Sequence, residues 1–209
     1  MSTELLYAGF WRRFGAFWLD ALFLLPLMLV VFWANSRFRM FQTYYLLPGL
    51  AFSAFYGVYL VKRFGGTPGK LVAGLRITKL DGSAIGYREA ILRAGPDYLL
   101  SLVSSLALAV AASRMNDSEY LSLTFIERSQ RLKALAPGWH QPVQLLLTIW
   151  IWSEFVVLLT NKKKRALHDF IAGTVVIVKG PNQALQPTPM LVTPRADARA
   201  APSTGVADL

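Results

Sequence analysis

The sequence predicts an all-α membrane protein, a four-transmembrane-helix bundle with a small cytoplasmic two-stranded β element and short amphipathic helices. Three observations predict it. Hydrophobic residues make up 54% of the 209 residues and charged residues only 16%, whereas a soluble domain carries about a quarter charged. The apolar residues gather into four blocks, roughly 14–33, 44–61, 97–113 and 143–160, each near the ~20 residues a helix needs to cross ~30 Å of hydrocarbon. Between and after these blocks lie short glycine-punctuated segments that alternate like strands. A soluble bundle would need a polar face on each helix over several turns, and these blocks have none.

The first block sits in "YAGFWRRFGAFWLDALFLLPLMLVVFW", residues 7–33. Its apolar core exceeds the ~7–15 residues of a signal peptide, and no A-x-A-like site closes it. It is expected to be a retained helix. The second block, Tyr44–Val61, is uniformly apolar, whereas the third, ending "SLVSSLALAVAAS", is diluted by small residues. The fourth, Val143–Thr160, contains one acid, Glu154.

The segments between them carry their own signals. In "FGGTPGKLVAGLRITKLDGSAIGYREAILRAGPD", Thr67-Pro68 suits the N-cap and first residue of a short helix. "LRITKL" alternates like a strand and stops at the turn dipeptide Asp81-Gly82. "YREAILRAG" reads as a short amphipathic helix with Tyr87, Ala90, Ile91 and Ala94 on one side. "GTVVIVKG" near the C-terminal end is a second β-branched run, predicted to pair with "LRITKL". In the loop 114–142, Asn116 to Ser118 are placed to cap an interfacial helix that Pro137-Gly138 ends. The segment 181–209 holds five prolines and no aromatic, too little surface to offset chain entropy. It is expected to be a disordered tail after a transmembrane domain over 7–180.

Charge supplies orientation. Arg12, Arg13, seven cations in 62–96, the run Lys162 to Arg165 and Lys179 place 14 cations on one side. Arg37, Arg39, Arg114, Arg128, Arg131 and Lys133 place 6 on the other. The positive-inside rule then puts both termini in the cytoplasm, most simply at the plasma membrane. The net charge of +10 flanks the apolar spans, which favours anionic lipid headgroups over nucleic acid as the partner. The chain has no cysteine, so disulfides and thiol chemistry are excluded.

Three pieces together resemble the RDD family of small polytopic integral membrane proteins, named for an arginine and two aspartates. "GFWRRFGAFWLD" is similar to its opening motif, with Arg13 and Asp20 at the arginine and first aspartate positions. "GGTPGKLVAGLRI" resembles its cytoplasmic loop, represented here by Gly66, Thr67, Pro68, Gly69, Lys70, Gly74 and Arg76. "RALHDFIAGTVVI" resembles its closing motif, with Asp169 at the second aspartate position. The resemblance implies a small integral membrane protein. Some members are regarded as cation/proton antiporters, which membership alone does not extend to every chain.

Physical chemistry singles out the buried acids. Asp20 lies about two helical turns from Arg13, on the same face, and costs roughly 2–3.5 kcal/mol in a membrane unless it finds water, a proton or a partner. It is either an ion or proton site, or a hydrogen-bonded lock that fixes the first helix. Glu154 falls at a similar depth, ~9 Å inside the inner edge. If Asp20 and Glu154 face each other, they make a candidate shared-proton or cation site, with Ser53, Ser101, Ser104 and Ser153 as nearby hydroxyls. Arg13 and Asp169 are expected to meet at the inner surface and tie the chain's two ends together, and Arg93 is another partner for Asp169.

Three chemistries are set aside. "GGTPGK" lacks the spacing of a Walker loop. His168-Asp169 has no accompanying nucleophile or metal-ligand spacing, so neither enzyme activity, a metal nor a cofactor is expected. The functional expectations are a monovalent cation/proton antiporter, or a non-transporting scaffold or accessory subunit bound to another membrane protein or to further copies of itself.

Overall fold

The computed structural model describes residues 6–179 of the chain, so the expected tail at 181–209 lies outside the described residues. Four stretches of helix are long and apolar enough to cross a membrane. The first is α1, Phe10–Arg37. The second is built from α2 (Phe41–Ala54), a π-helical turn (Phe55–Tyr59) and α3 (Leu60–Phe64). After the short α4 (Pro68–Val72) and β1 (Leu75–Lys79) comes the third span, α5 (Tyr87–Ser113). Two short helices, α6 (Asp117–Ser122) and α7 (Phe125–Leu135), lead to the fourth, α8 (His140–Thr160). The described chain closes with α9 (Leu167–Ala172) and β2 (Thr174–Val178).

β1 and β2 pair antiparallel with Leu75 opposite Val178 and Lys79 opposite Thr174, the pairing read from their alternation. The residues before α1 join them: Ala8 N–H donates to the Val176 carbonyl and Val178 N–H to that of Leu6. Ala8, Leu75, Ile77 and Val176 pack with Ala16 of α1, Val61 of α3 and Ala90 of α5 into one apolar core. This platform caps one end of the bundle, here termed the platform face. The loops around α6 and α7 occupy the far face.

The span diluted by small residues is the hub of the bundle. α5 packs against α2, the π-helical turn, α7, α8 and α9, and its buried positions are Ala90 near its start and then Ser104, Ala107, Ala109, Ala111 and Ala112. Within its apolar window 22% of residues are buried inside the protein, against 6% in each of the other three spans. The small residues that dilute its hydropathy are what lets neighbouring backbones approach, the usual basis of helix association in lipid.

The helix boundaries differ from the sequence reading at two places. "YREAILRAG" is the first two turns of α5, not a separate helix, and only Ala90 of its expected apolar side is buried, with Ile91 54% exposed. Pro96 gives up its own hydrogen bond inside α5 without ending it, a loss that transmembrane helices tolerate where neighbours re-satisfy the backbone. The single helix expected after Asn116 is two. Asn116 Oδ1 caps α6 through Glu119 N–H at 2.7 Å, and Thr124 starts α7 with a capping box to Glu127. That second start is written in "TFIE", residues 124–127.

The π-helical turn has a local cause. Tyr98 of α5 donates its hydroxyl to the Ser53 carbonyl at 2.6 Å, and a Cβ at Gly57 would lie 1.8 Å from that hydroxyl. Glycine thus admits Tyr98 against a helix whose ladder is widened by one residue.

Leu75 is fully buried in the platform core. Leu75→Ala is expected to cost about 2–5 kcal/mol, read as a lowered thermal unfolding midpoint of the detergent-solubilised protein.

Candidate functional site

Two carboxylates, Asp20 and Asp169, are buried where the bundle meets the platform. Each is the centre of a hydrogen-bonded node.

Asp20 projects from α1 onto the start of α4. Its Oδ1 accepts from the Tyr56 hydroxyl at 2.6 Å and from Gly69 N–H at 2.7 Å. Its Oδ2 accepts from the Thr67 hydroxyl at 2.5 Å, with Lys70 Nζ 4.0 Å away. Thr67 occupies the N-cap position of α4, yet its own side chain does not cap the helix. Asp20 takes that role from another helix, with an acceptor for one of the otherwise orphaned N–H groups. The contact requires that α1 and α4 touch backbone to backbone. A Cβ on Gly69 would fall 2.4 Å from both the Ala16 carbonyl oxygen and the Asp20 nitrogen.

Tyr56 belongs to the π-helical turn. The same widened turn that accommodates Tyr98 therefore carries the hydroxyl that reaches Asp20. The spacing of "FSAFYGVYL" gives no hint of this, since a tyrosine in an apolar block reads as an interface residue.

Asp169 is completely buried. Arg13 Nη1 donates to its Oδ2 at 2.8 Å, and Arg93 Nη1 donates to its Oδ1. Ala166 N–H and the Thr174 hydroxyl add bonds of 3.0 and 3.1 Å. The arginines are anchored in turn: Arg13 Nη2 donates to the Lys164 carbonyl at 2.5 Å and Arg93 Nη1 to Thr174 at 2.8 Å. Arg165 donates to the carbonyls of Asp169 and Thr174. Both arginines named from the sequence thus reach the same carboxylate.

The network continues to the fourth span through His168. Arg93 Nη2 lies 2.7 Å from His168 Nε2. A guanidinium only donates, so Nε2 must accept and the ring proton sits on Nδ1. Nδ1 lies 2.5 Å from Glu154 Oε2, while His168 backbone N–H donates to Glu154 Oε1 at 3.0 Å. Glu154 therefore belongs to the Asp169 side of the site.

The structure does not bring Asp20 and Glu154 together as a shared-proton pair. Asp20 has Tyr56, Thr67 and Gly69 as partners and Glu154 has His168, with none in common. Equal depth along two helices fixes height and leaves the angle about each axis free. The four serines are also elsewhere. Ser53 and Ser101 line a cavity of about 300 Å³ between the second span and α5. Ser104 accepts from Gln144, and Ser153 donates to the carbonyl of Trp150. Of the loop motif, Gly74 turns the chain at φ 68°, and Arg76 leaves Nε and Nη1 without an acceptor. Among the described residues, no three His, Cys, Asp or Glu side chains are grouped to hold a metal ion.

Electrostatics distinguish the groups beyond the fourth span. Burial by itself would raise the Asp169 pKa, but Arg93, His168 and Arg13 together outweigh it and hold the carboxyl well below the usual carboxylate range. His168 is pushed down by burial and then by Arg93, against the opposing pull of Glu154 and Asp169. It is therefore neutral at pH 7, in agreement with the Nδ1–H tautomer.

The model of the RDD family matches residues 7–173 of the chain. No curated protein and no solved structure matches it.

Gly69→Ala is expected to separate α1 from α4 and lower the unfolding midpoint in detergent, more than Gly15→Ala, where a Cβ meets open space. Asp169→Asn, which leaves two buried arginines without their acid, is expected to cost about 3–5 kcal/mol. Both depressed pKa values mean that the unfolded chain binds protons first on acidification. The His168 contribution is then whole above its unfolded value of about 6.5, and that of Asp169 above about 3.9; each is lost as pH falls toward the lower folded value. Unfolding midpoints measured from pH 8 to 3 should decline in two stages, the upper one absent in His168→Gln and the lower one in Asp169→Asn.

Proposed function

Because the chain belongs to the RDD family and is an integral membrane protein, and because its buried acids are engaged by its own donors, we propose that it is a non-transporting scaffold or accessory subunit. The observation that supports this reading is the filling of Asp20. A carboxylate has about four acceptor sites, and three protein donors occupy three of them with Lys70 beside the fourth. A cation or shuttling proton would have to displace the donors that hold α1 to α4.

The partners that fit are the anionic headgroups of a cytoplasmic membrane, met by Lys162, Lys163, Lys164 and Arg165, and another membrane protein or further copies of the chain. Both termini are placed in the cytoplasm on the same reading, because 14 of the loop cations lie on the platform face and 6 on the far face.

A second reading is monovalent cation/proton antiport. The Glu154–His168 contact supports it, since a carboxylate facing an imidazole at the end of a span is the kind of pair that proton pathways use.

Proteoliposomes with an entrapped pH-sensitive dye separate the two. The scaffold reading expects no proton movement when a sodium or potassium gradient is imposed. Cation-driven alkalinisation that Glu154→Gln abolishes would replace it with antiport. Orientation is tested in the cysteine-free chain by single substitutions: Ser122→Cys should react with an impermeant maleimide added outside intact cells, and Ser83→Cys should react only after lysis.

A further inference from the structure

On the far face, the ends of α1, α5, α7 and α8 enclose a second cavity of about 160 Å³ that neither buried-acid node reaches. Its walls combine the apolar Phe32, Leu108 and Phe125 with Arg128, Lys133 and His140. We propose that this pocket binds the headgroup of an anionic amphiphile, a carboxylate or phosphate carried on an acyl chain.

The first support is an unsatisfied imidazole. His140 is 1% exposed, and its Nδ1 is buried without a hydrogen-bond partner among the described residues. A buried ring nitrogen without a partner costs free energy, and an anion in this pocket would accept an N–H placed there. Arg128 adds a second orphan. Its Nη1 and Nη2 donate to the carbonyls of Ser36 and Leu123, its plane lies 4.4 Å over the Tyr120 ring, and its Nε–H has no acceptor.

Charge points the same way. The acids of the far face are already committed: Asp117 pairs with Arg39, Glu119 pairs with Arg131, and Glu127 caps α7. No acidic side chain among the described residues pairs with Arg128 or Lys133, so the pocket keeps uncompensated positive charge. Size and position decide the rest of the ligand. The cavity is about half the ~300 Å³ at which drug-sized pockets begin, enough for a headgroup and not for a tail. Phe32 and Phe125 stand 5.4 Å apart at its wall and remain 53% and 62% exposed, which provides an apolar exit from the pocket into the surrounding hydrocarbon.

The test uses the full chain in a neutral maltoside detergent, with ligand occupancy read by native mass spectrometry. Dodecanoate and phosphatidylglycerol are titrated against monolaurin and phosphatidylcholine. The proposal expects one saturable equivalent of at least one anionic ligand, bound at least tenfold more tightly than its neutral or zwitterionic counterpart. Dodecanoate alone would assign a free fatty acid, and phosphatidylglycerol alone a lipid phosphate. Arg128→Gln and Lys133→Gln should each weaken that binding several-fold, and His140→Gln less. Lys79→Gln, on the platform face where Lys79 pairs with Glu89, should leave it unchanged. Lys133 is exposed, so its variant carries the test even if Arg128→Gln does not fold. Equal binding of charged and uncharged ligands, loss only in the platform-face variant, or no effect of Lys133→Gln overturns the proposal.

Discussion

A carboxylate taken out of water has to be met by donors or positive charge, and in this protein the burial of Asp169 organises much of what surrounds it. Two guanidiniums arrive from α1 and α5, a backbone N–H comes from the turn before α9, and a hydroxyl comes from the first residue of β2. Arg13 lies 156 residues from Asp169 in the chain and Arg93 lies 76 from it. The acid therefore converts an electrostatic necessity into a topological closure, with the start of the first span held beside the end of the described chain. The backbone bonds of Leu6 and Ala8 to β2 reinforce the same join.

Asp20 performs the corresponding task between α1 and the motif loop, with neutral donors in place of arginines. The two nodes differ in chemistry for a reason visible in their surroundings. Near Asp20 the backbones of α1 and α4 approach so closely that glycine is required at position 69, leaving room for an N–H and hydroxyls and holding Lys70 at 4.0 Å. Around Asp169 the loops after α8 open enough space for two planar guanidiniums, whose forks match a carboxylate. Both aspartates are thus built into the architecture by the chain's own donors, while Glu154 reaches His168 and neither aspartate's donor set.

The third span illustrates how hydropathy and centrality diverge in lipid. Its alanines and serines keep it less apolar than the first and fourth spans, and they also make it the helix that the second and fourth spans pack upon. Side chains that would bring little burial energy in water bring close backbone contact here, where dispersion and hydrogen bonding drive association. Tyr98 and the π-helical turn show the same economy of space: a hydroxyl sits where a Cβ would otherwise be.

From the sequence alone, the solvent of the four blocks was already determined, since uninterrupted apolar length leaves no polar face to hydrate. The β pairing was legible from alternation, and the Arg13, Asp20 and Asp169 positions from their motifs. The second helix start at Thr124 is written in "TFIE", close behind the first cap at Asn116. Only the tertiary structure decided which donor meets which acid. Tyr56 with Asp20, Arg93 with both Asp169 and His168, and Glu154 with His168 in place of Asp20 all depend on rotation about helix axes and on loop paths. Residue spacing gives a side chain its height along a helix; its partner is set by the angle it faces once every helix has found its neighbours.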